Sequence, residues 1–124
     1  MTAPKTVLEL SDAQLVAYNR QNIEAFCACF AEDVRVLDER GSETLSGMSA
    51  FRERYGALFS KWPQMGAEVV ARIHLEPHIV EHETYFRKDE TGAVKESGEV
   101  IVRYTSVPTP QGARIGLVEF LRPG

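Results

Sequence analysis

The sequence predicts an α+β fold, with helices layered on a curved antiparallel β-sheet. Three observations predict it. Helical spacing of apolar residues is confined to the first half and stops near Trp62-Pro63. After Gln64 the pattern alternates with period two. Glu76-Pro77 and the Pro- and Gly-rich run Pro108–Gly112 cut that second half into pieces of strand length. Helices placed before an antiparallel sheet are the α+β signature.

The elements follow in order. Ser11-Asp12-Ala13-Gln14 fits a capping box, with Ser11 as N-cap of a helix running to about Gln21. Asn22 can cap a second short helix, with Glu24 in its first turn and Phe26 and Phe30 four residues apart. Val34–Asp38 alternates and reads as a strand, Gly41 marks a turn, and a short return strand lies near Thr44-Leu45. A third helix starts near Gly47, with Met48, Phe51, Tyr55, Leu58 and Phe59 at helical spacing. Four strands complete the chain, over about 67–75, 78–87, 98–107 and 114–121. A curved sheet wrapped on a long helix encloses a conical cavity, and such mouths are common ligand sites.

The chain has 124 residues, which predicts one domain over 1–124 with its core at about 11–122. Hydrophobic residues are 44% and charged residues 26%, which excludes a disordered chain. No apolar run reaches 18 residues, and Met1–Lys5 lacks the apolar stretch of a signal peptide. A net charge of −4 with scattered Lys and Arg argues against nucleic acid and membrane partners. Cys27 and Cys29 are two apart on a helix and point away from each other, so they read as unbridged thiols of a cytoplasmic protein.

The Glu76-Pro77 hairpin allows faces to be assigned. If those two residues are the turn, Leu75 lies opposite His78 and later pairs share faces. One face then carries Val69, Ala71, Ile73, Leu75, His78, Val80, His82, Thr84 and Phe86. The other carries Arg72, His74, Ile79, Glu81, Glu83, Tyr85 and Arg87. The first is apolar and is expected inside, with His82 and Phe86 in the cavity; the second is expected to meet water or a partner chain. By the same alternation Asp38 shares the buried side of Val34 and Val36, and Glu119 shares a face with Ile115 and Leu117. An inward carboxylate is costly unless paired or functional. His74, His78 and His82 do not converge as metal ligands, since His78 and His82 lie about 13 Å apart along a strand.

The run Phe30-Ala31-Glu32-Asp33-Val34-Arg35-Val36-Leu37-Asp38, then Gly41-Ser42-Glu43, Ser46-Gly47, Phe51-Arg52-Glu53 and Tyr55, resembles the bacterial ketosteroid isomerases. It is also similar to the wider nuclear-transport-factor-2-like superfamily, including the SnoaL-like polyketide cyclases. Ile79-Val80-Glu81-His82-Glu83 is similar to a strand of many SnoaL-like proteins. The resemblance implies a cystatin-like cone, usually a homodimer packed through the outer sheet face. It places Asp38 at the proton-shuttling aspartate and Tyr55 at a supporting tyrosine. It departs at the oxyanion pair, which in that enzyme is a tyrosine and a protonated aspartic acid. Gln14 occupies the tyrosine position, and the acid would fall near Val100–Val102, where none stands. Tyr18, one turn beyond Gln14, could donate from a shifted position.

These readings give one leading expectation. Asp38 moves a proton on a small, largely apolar carbonyl compound, assisted by His82, in an isomerisation, dehydration or cyclisation needing no cofactor and no metal. Gln14, Tyr18, Tyr55, Glu119 and Phe86 would contact the substrate. The bland alternatives are a turn-bonded Asp38 and a core His82. At the level of function, the alternatives are a non-catalytic domain that binds a small ligand and a purely structural dimer.

Overall fold

The computed structural model describes residues 5–123. Met1–Pro4, the start of the segment read above for targeting, lie outside them. Helix α1 spans Val7–Asn19, and its N-cap is Thr6 rather than Ser11. Thr6 and Glu9 form the capping box: Thr6 Oγ1 accepts the Glu9 N–H at 3.2 Å, and Glu9 Oε1 accepts the Thr6 N–H at 3.0 Å. The earlier box prevails because Val7 and Leu10 already belong to the buried stripe, which leaves Ser11 inside the helix. Glu76 adds a second anchor, its two oxygens accepting the Val7 N–H at 3.1 and 3.0 Å. Burial pushes the Glu76 carboxyl up, but hydrogen bonds from His74, Val7 and Ser106 outweigh it and hold the carboxyl below its ordinary range.

Helix α2 spans Ile23–Cys27, with Asn22 capping it through the Ala25 N–H at 3.1 Å. Phe30 opens strand β1 (Phe30–Leu37) instead of extending α2. Strand β2 spans Glu43–Ser46 and helix α3 spans Met48–Lys61, entered through Gly47 at a φ of 87°. Strands β3 (Gln64–Leu75), β4 (His78–Lys88), β5 (Val94–Thr109) and β6 (Gly112–Leu121) follow. The Pro-rich segment expected as a loop shrinks to a turn at Pro110-Gln111, because Thr109 still pairs with Gly112. The φ of Gly112 is 102°, which suits glycine at this close of the hairpin. Among the described residues no helix is long and apolar enough to cross a membrane.

The six strands form one curved sheet in the order β2-β1-β6-β5-β4-β3. It is mixed rather than wholly antiparallel, since β1 and β6 run parallel. The chain between them is long enough for the crossover that a parallel pair requires. Helix α1 crosses the concave side and touches β3, β4, β5 and β6. Phe26 centres an aromatic cluster under the helices, with ring centroids 5.0 Å from Phe30, 5.7 Å from Phe51, 4.9 Å from Tyr55 and 5.6 Å from Phe59. Cys27 and Cys29 are buried free thiols, and burial raises both.

The hairpin begins in the expected register, Leu75 opposite His78, but its faces are the reverse of those expected. Ile79, Glu81 and Glu83 are buried on the concave side, whereas Ile73 and Leu75 are 74% and 75% exposed on the convex side. A bulge between Val69 and Ala71 puts Val69 opposite the inward Glu83 and Ala71 opposite the outward His82. A second irregularity beside Gly116 sets Ile115 against Ser106 and Leu117 against Thr105. Ile115 and Val118 are therefore both buried, and Glu119 is turned to the convex side.

Candidate functional site

A cavity of about 220 Å³ lies between the helices and the concave sheet. Its aromatic and aliphatic wall is supplied by Phe26, Phe30, Phe51, Leu58, Val100, Val118 and Phe120. Its polar groups are Gln14 and Tyr18 from α1, Arg54 and Tyr55 from α3, Glu83, Tyr85 and Arg87 from β4, Tyr104 from β5, and Arg122. Strand periodicity explains the β4 set: residues 79, 81, 83, 85 and 87 share one face, and that face lines the cone.

Glu81 and Glu83 are the chemical centre of this face. Glu81 is fully buried and Glu83 is 8% exposed. Glu81 Oε2 accepts the Ser11 hydroxyl at 2.8 Å and the Arg72 Nε and Nη2 hydrogens at 3.0 and 2.5 Å. Arg72 also donates to Asp12 at 2.9 Å, so α1 and β3 together hold Glu81 in place. Glu83 lies within hydrogen-bonding reach of Glu81 and opens onto the cavity. Burial pushes the Glu83 carboxyl up to about 8, and the hydrogen bond to Glu81 and its charge add to the effect, against the pull of Arg72. At neutral pH the pair therefore keeps a proton on Glu83. Glu81 Oε1 and Glu83 Oε2 are buried oxygens with no hydrogen-bond donor among the described residues, and a proton shared by the pair would satisfy them. Two carboxylates facing each other would both be orphaned; a carboxylic acid beside a carboxylate satisfies both.

Phenols surround the acid. Burial raises the Tyr18, Tyr55 and Tyr104 hydroxyls, so each stays a hydrogen-bond donor at neutral pH. Arg87 is within hydrogen-bonding reach of Tyr18 and ion-pairs with Glu96 at 2.7 Å. The Tyr85 ring lies flat across Gly98, where a Cβ would come within 2.8 Å of its hydroxyl oxygen. A side chain at position 98 would displace Tyr85 from this packing.

Of the residues picked from the sequence, Gln14, Tyr18 and Tyr55 reach the cavity. Asp38, His82, Glu119 and Phe86 do not. The β1 strand ends at Leu37, one residue before Asp38. There Asp38 Oδ1 accepts the Arg40 and Ser42 N–H groups at 2.9 and 3.0 Å and staples the turn. His82 is on the convex face, where Nε2 meets Glu99 Oε1 at 2.6 Å. Glu119 pairs with Arg103 at 2.6 Å on the same face. The Phe86 ring lies over Gly66 on the adjacent strand, outside the cone. Among the described residues no three His, Cys, Asp or Glu side chains gather as a metal site would need.

Glu81 and Glu83 were missed because hydrophobicity alone decided which face was inner. The signal was nevertheless present: Ile79, Glu81, Glu83 and Tyr85 alternate along one strand, and two acids at that spacing flanked by apolar side chains are expensive unless they share a proton.

Residues 12–122 match the family model of the SnoaL-like domain. No curated protein matches the sequence. Among solved structures, the chain is similar to a cystatin-fold protein from Novosphingobium aromaticivorans, at 24% identity and a TM-score of 0.80 over 95% of this chain and 99% of the other. It is similar to a ketosteroid isomerase-like protein from Erwinia carotovora atroseptica, at 15% identity and a TM-score of 0.67 over 96% and 95% of the two chains. It is also similar to TerC, crystallised with polyporic acid, at 15% identity and a TM-score of 0.71 over 94% and 90%.

Proposed function

The chain belongs to the SnoaL-like domain family, and from that premise we propose that it is a cofactor-independent enzyme moving a proton on a small, largely apolar carbonyl compound held in the cone. Glu83 is the acid–base group in this reading. The observation that carries it is the buried Glu83 carboxyl facing the cavity, pushed up to about 8 by burial and by Glu81. A proton-transfer group works best with its pKa near the operating pH. At pH 7 about one Glu83 in ten is ionised and able to take a proton, while the rest can give one. Its carboxylate would remove a proton from the carbon next to the carbonyl. The acid so formed would return the proton to another carbon, or to a departing hydroxyl, giving isomerisation or dehydration. Tyr18, Tyr55 and Gln14 would donate hydrogen bonds to the oxygen on which negative charge develops. Arg72 and Ser11 act on Glu81 and so position the dyad.

Deuterium exchange into ketone probes tests the reading. Wild type is expected to exchange protons next to the carbonyl roughly 10²–10⁴-fold faster than Glu83→Gln, the usual span for losing one acid–base group. Equal rates would remove Glu83 from the chemistry. Tight retention of a ketone without exchange would favour a binding domain instead.

The convex face supports a second proposal, a homodimer through the sheet. Ile73 and Leu75 on β3, Ile101 on β5 and Leu121 on β6 are exposed there, apolar side chains more usual at an interface than facing water.

A further inference from the structure

The cavity lining carries more cationic than acidic side chains, although the chain has a net charge of −4. Its lining includes three guanidinium groups and one carboxyl, and that carboxyl, Glu83, is uncharged below about pH 8. Arg87 is already paired with Glu96. Arg54 and Arg122, like Arg20, Arg40 and Arg114, have no ion-pair partner among the described residues, but of these five it is Arg54 and Arg122 that line the cavity. Both are exposed at the rim while lining the cavity. They come from different elements, α3 and the segment after β6, yet both line this one cavity. Each is close enough to the Tyr55 hydroxyl to act on it electrostatically. The Arg122 guanidinium carbon lies 5.2 Å from the centre of the Phe120 ring, which is itself part of the cavity wall.

Size limits what can enter. A cavity of about 150 Å³ lined by apolar side chains holds one benzene. The 220 Å³ found here holds one ring or two fused rings within its walls. Two unpaired guanidiniums at the mouth, an apolar wall and a neutral acid inside together define a ligand: compact, cyclic, apolar along its body, and anionic at one end.

We propose that the substrate is a one- or two-ring carbonyl compound bearing a carboxylate, gripped at the mouth by Arg54 and Arg122 so that its carbonyl end points to Glu83. This rests on the proton-transfer reading for the inner end of the cavity; the outer end is the new element. Guanidinium is suited to the role, since its planar fork matches both oxygens of a carboxylate.

Titration calorimetry with two matched probes, 2-naphthoate and its neutral counterpart 2-acetonaphthone, tests the inference at pH 7. Wild type at low salt is expected to bind naphthoate about tenfold more tightly, and the ratio should fall towards one by 0.3 M NaCl as the rim charges are screened. In the Arg54→Gln/Arg122→Gln variant the ratio should be one or below at any salt. Both side chains are exposed, and the salt series on wild type stands even if the variant misfolds. A wild-type ratio near one with acetonaphthone bound would overturn the anion site and leave the Glu83 chemistry standing. Binding of neither probe would overturn both. A preference for naphthoate that survives in the double variant would place the anion elsewhere and refute the assignment to these arginines.

Discussion

Glu83→Gln should change how stability depends on pH, and the size of the change follows from the site. In the unfolded chain Glu83 ionises near its ordinary 4.5; in the folded protein it ionises near 8. Between these values the folded state holds one proton more than the unfolded state. Stability contributed by this group is therefore fully present below pH 4.5 and declines as pH rises towards 8, at about 1.4 kcal/mol per pH unit. From pH 5 to pH 8 the wild type should lose about 4 kcal/mol through Glu83 alone. Glutamine keeps the shape and still donates a hydrogen bond to Glu81, but has nothing to titrate. Every other titrating group is common to both proteins, so the difference between their profiles isolates this site. Urea unfolding at half-unit steps from pH 5 to 9 provides the measurement. The variant should gain on wild type as pH rises, by about 4 kcal/mol across the window, and the gap should stop growing near pH 8. Parallel profiles would refute the protonated dyad.

Other outcomes follow from the same contacts. Glu81→Gln removes the charge that supports the Glu83 proton, so Glu83 should titrate lower while staying above the ordinary carboxylate range, because burial remains; carboxyl-carbon NMR reads this directly, and an unmoved Glu83 would dissolve the pair. Asp38→Ala should cost about 1 kcal/mol in urea unfolding through the lost turn bonds while ketone exchange persists; abolished exchange in a folded variant would return Asp38 to the chemistry. Ile73→Lys with Leu75→Lys should yield a folded monomer in sedimentation, and a dimer that withstands both charges would move the interface off this face.

Much of the fold was legible because its signals are local. Asn22 before a short apolar run, Gly47 before a helical stripe, and Glu76-Pro77 between two alternating segments each act within a few residues. The parallel β1–β6 pair was not legible, since a crossover over most of the chain leaves no local mark. Bulges were equally silent. Gly116 could have hinted at one, but the displacement of Glu119 to the convex face depends on how β6 meets β5. Of the site, Gln14, Tyr18 and Tyr55 could be found because the family resemblance aligns Gln14 and Tyr55 with its site positions and Tyr18 lies one helical turn beyond Gln14.

The inverted hairpin carries a more general physical point. Period-two alternation states that a strand has two unlike faces; it does not state which is inside. The usual inference, apolar face inward, assumes that water is the only alternative to the core. Here the convex face of β3 and β4 offers Ile73, Leu75 and Val80, while the concave face offers Glu81, Glu83, Tyr85 and Arg87. The arrangement is tolerable only because each inward charge has a partner: Arg72 and Ser11 for Glu81, the shared proton for Glu83, and Glu96 for Arg87. A hollow, polar-lined interior forfeits part of the apolar burial that a chain of this size depends on. An apolar convex face is the surface through which a second copy would restore it. The polarity of the inner face and the exposure of the outer one go together, and if the proposed dimer forms, Ile73→Lys with Leu75→Lys should lower stability as well as change mass.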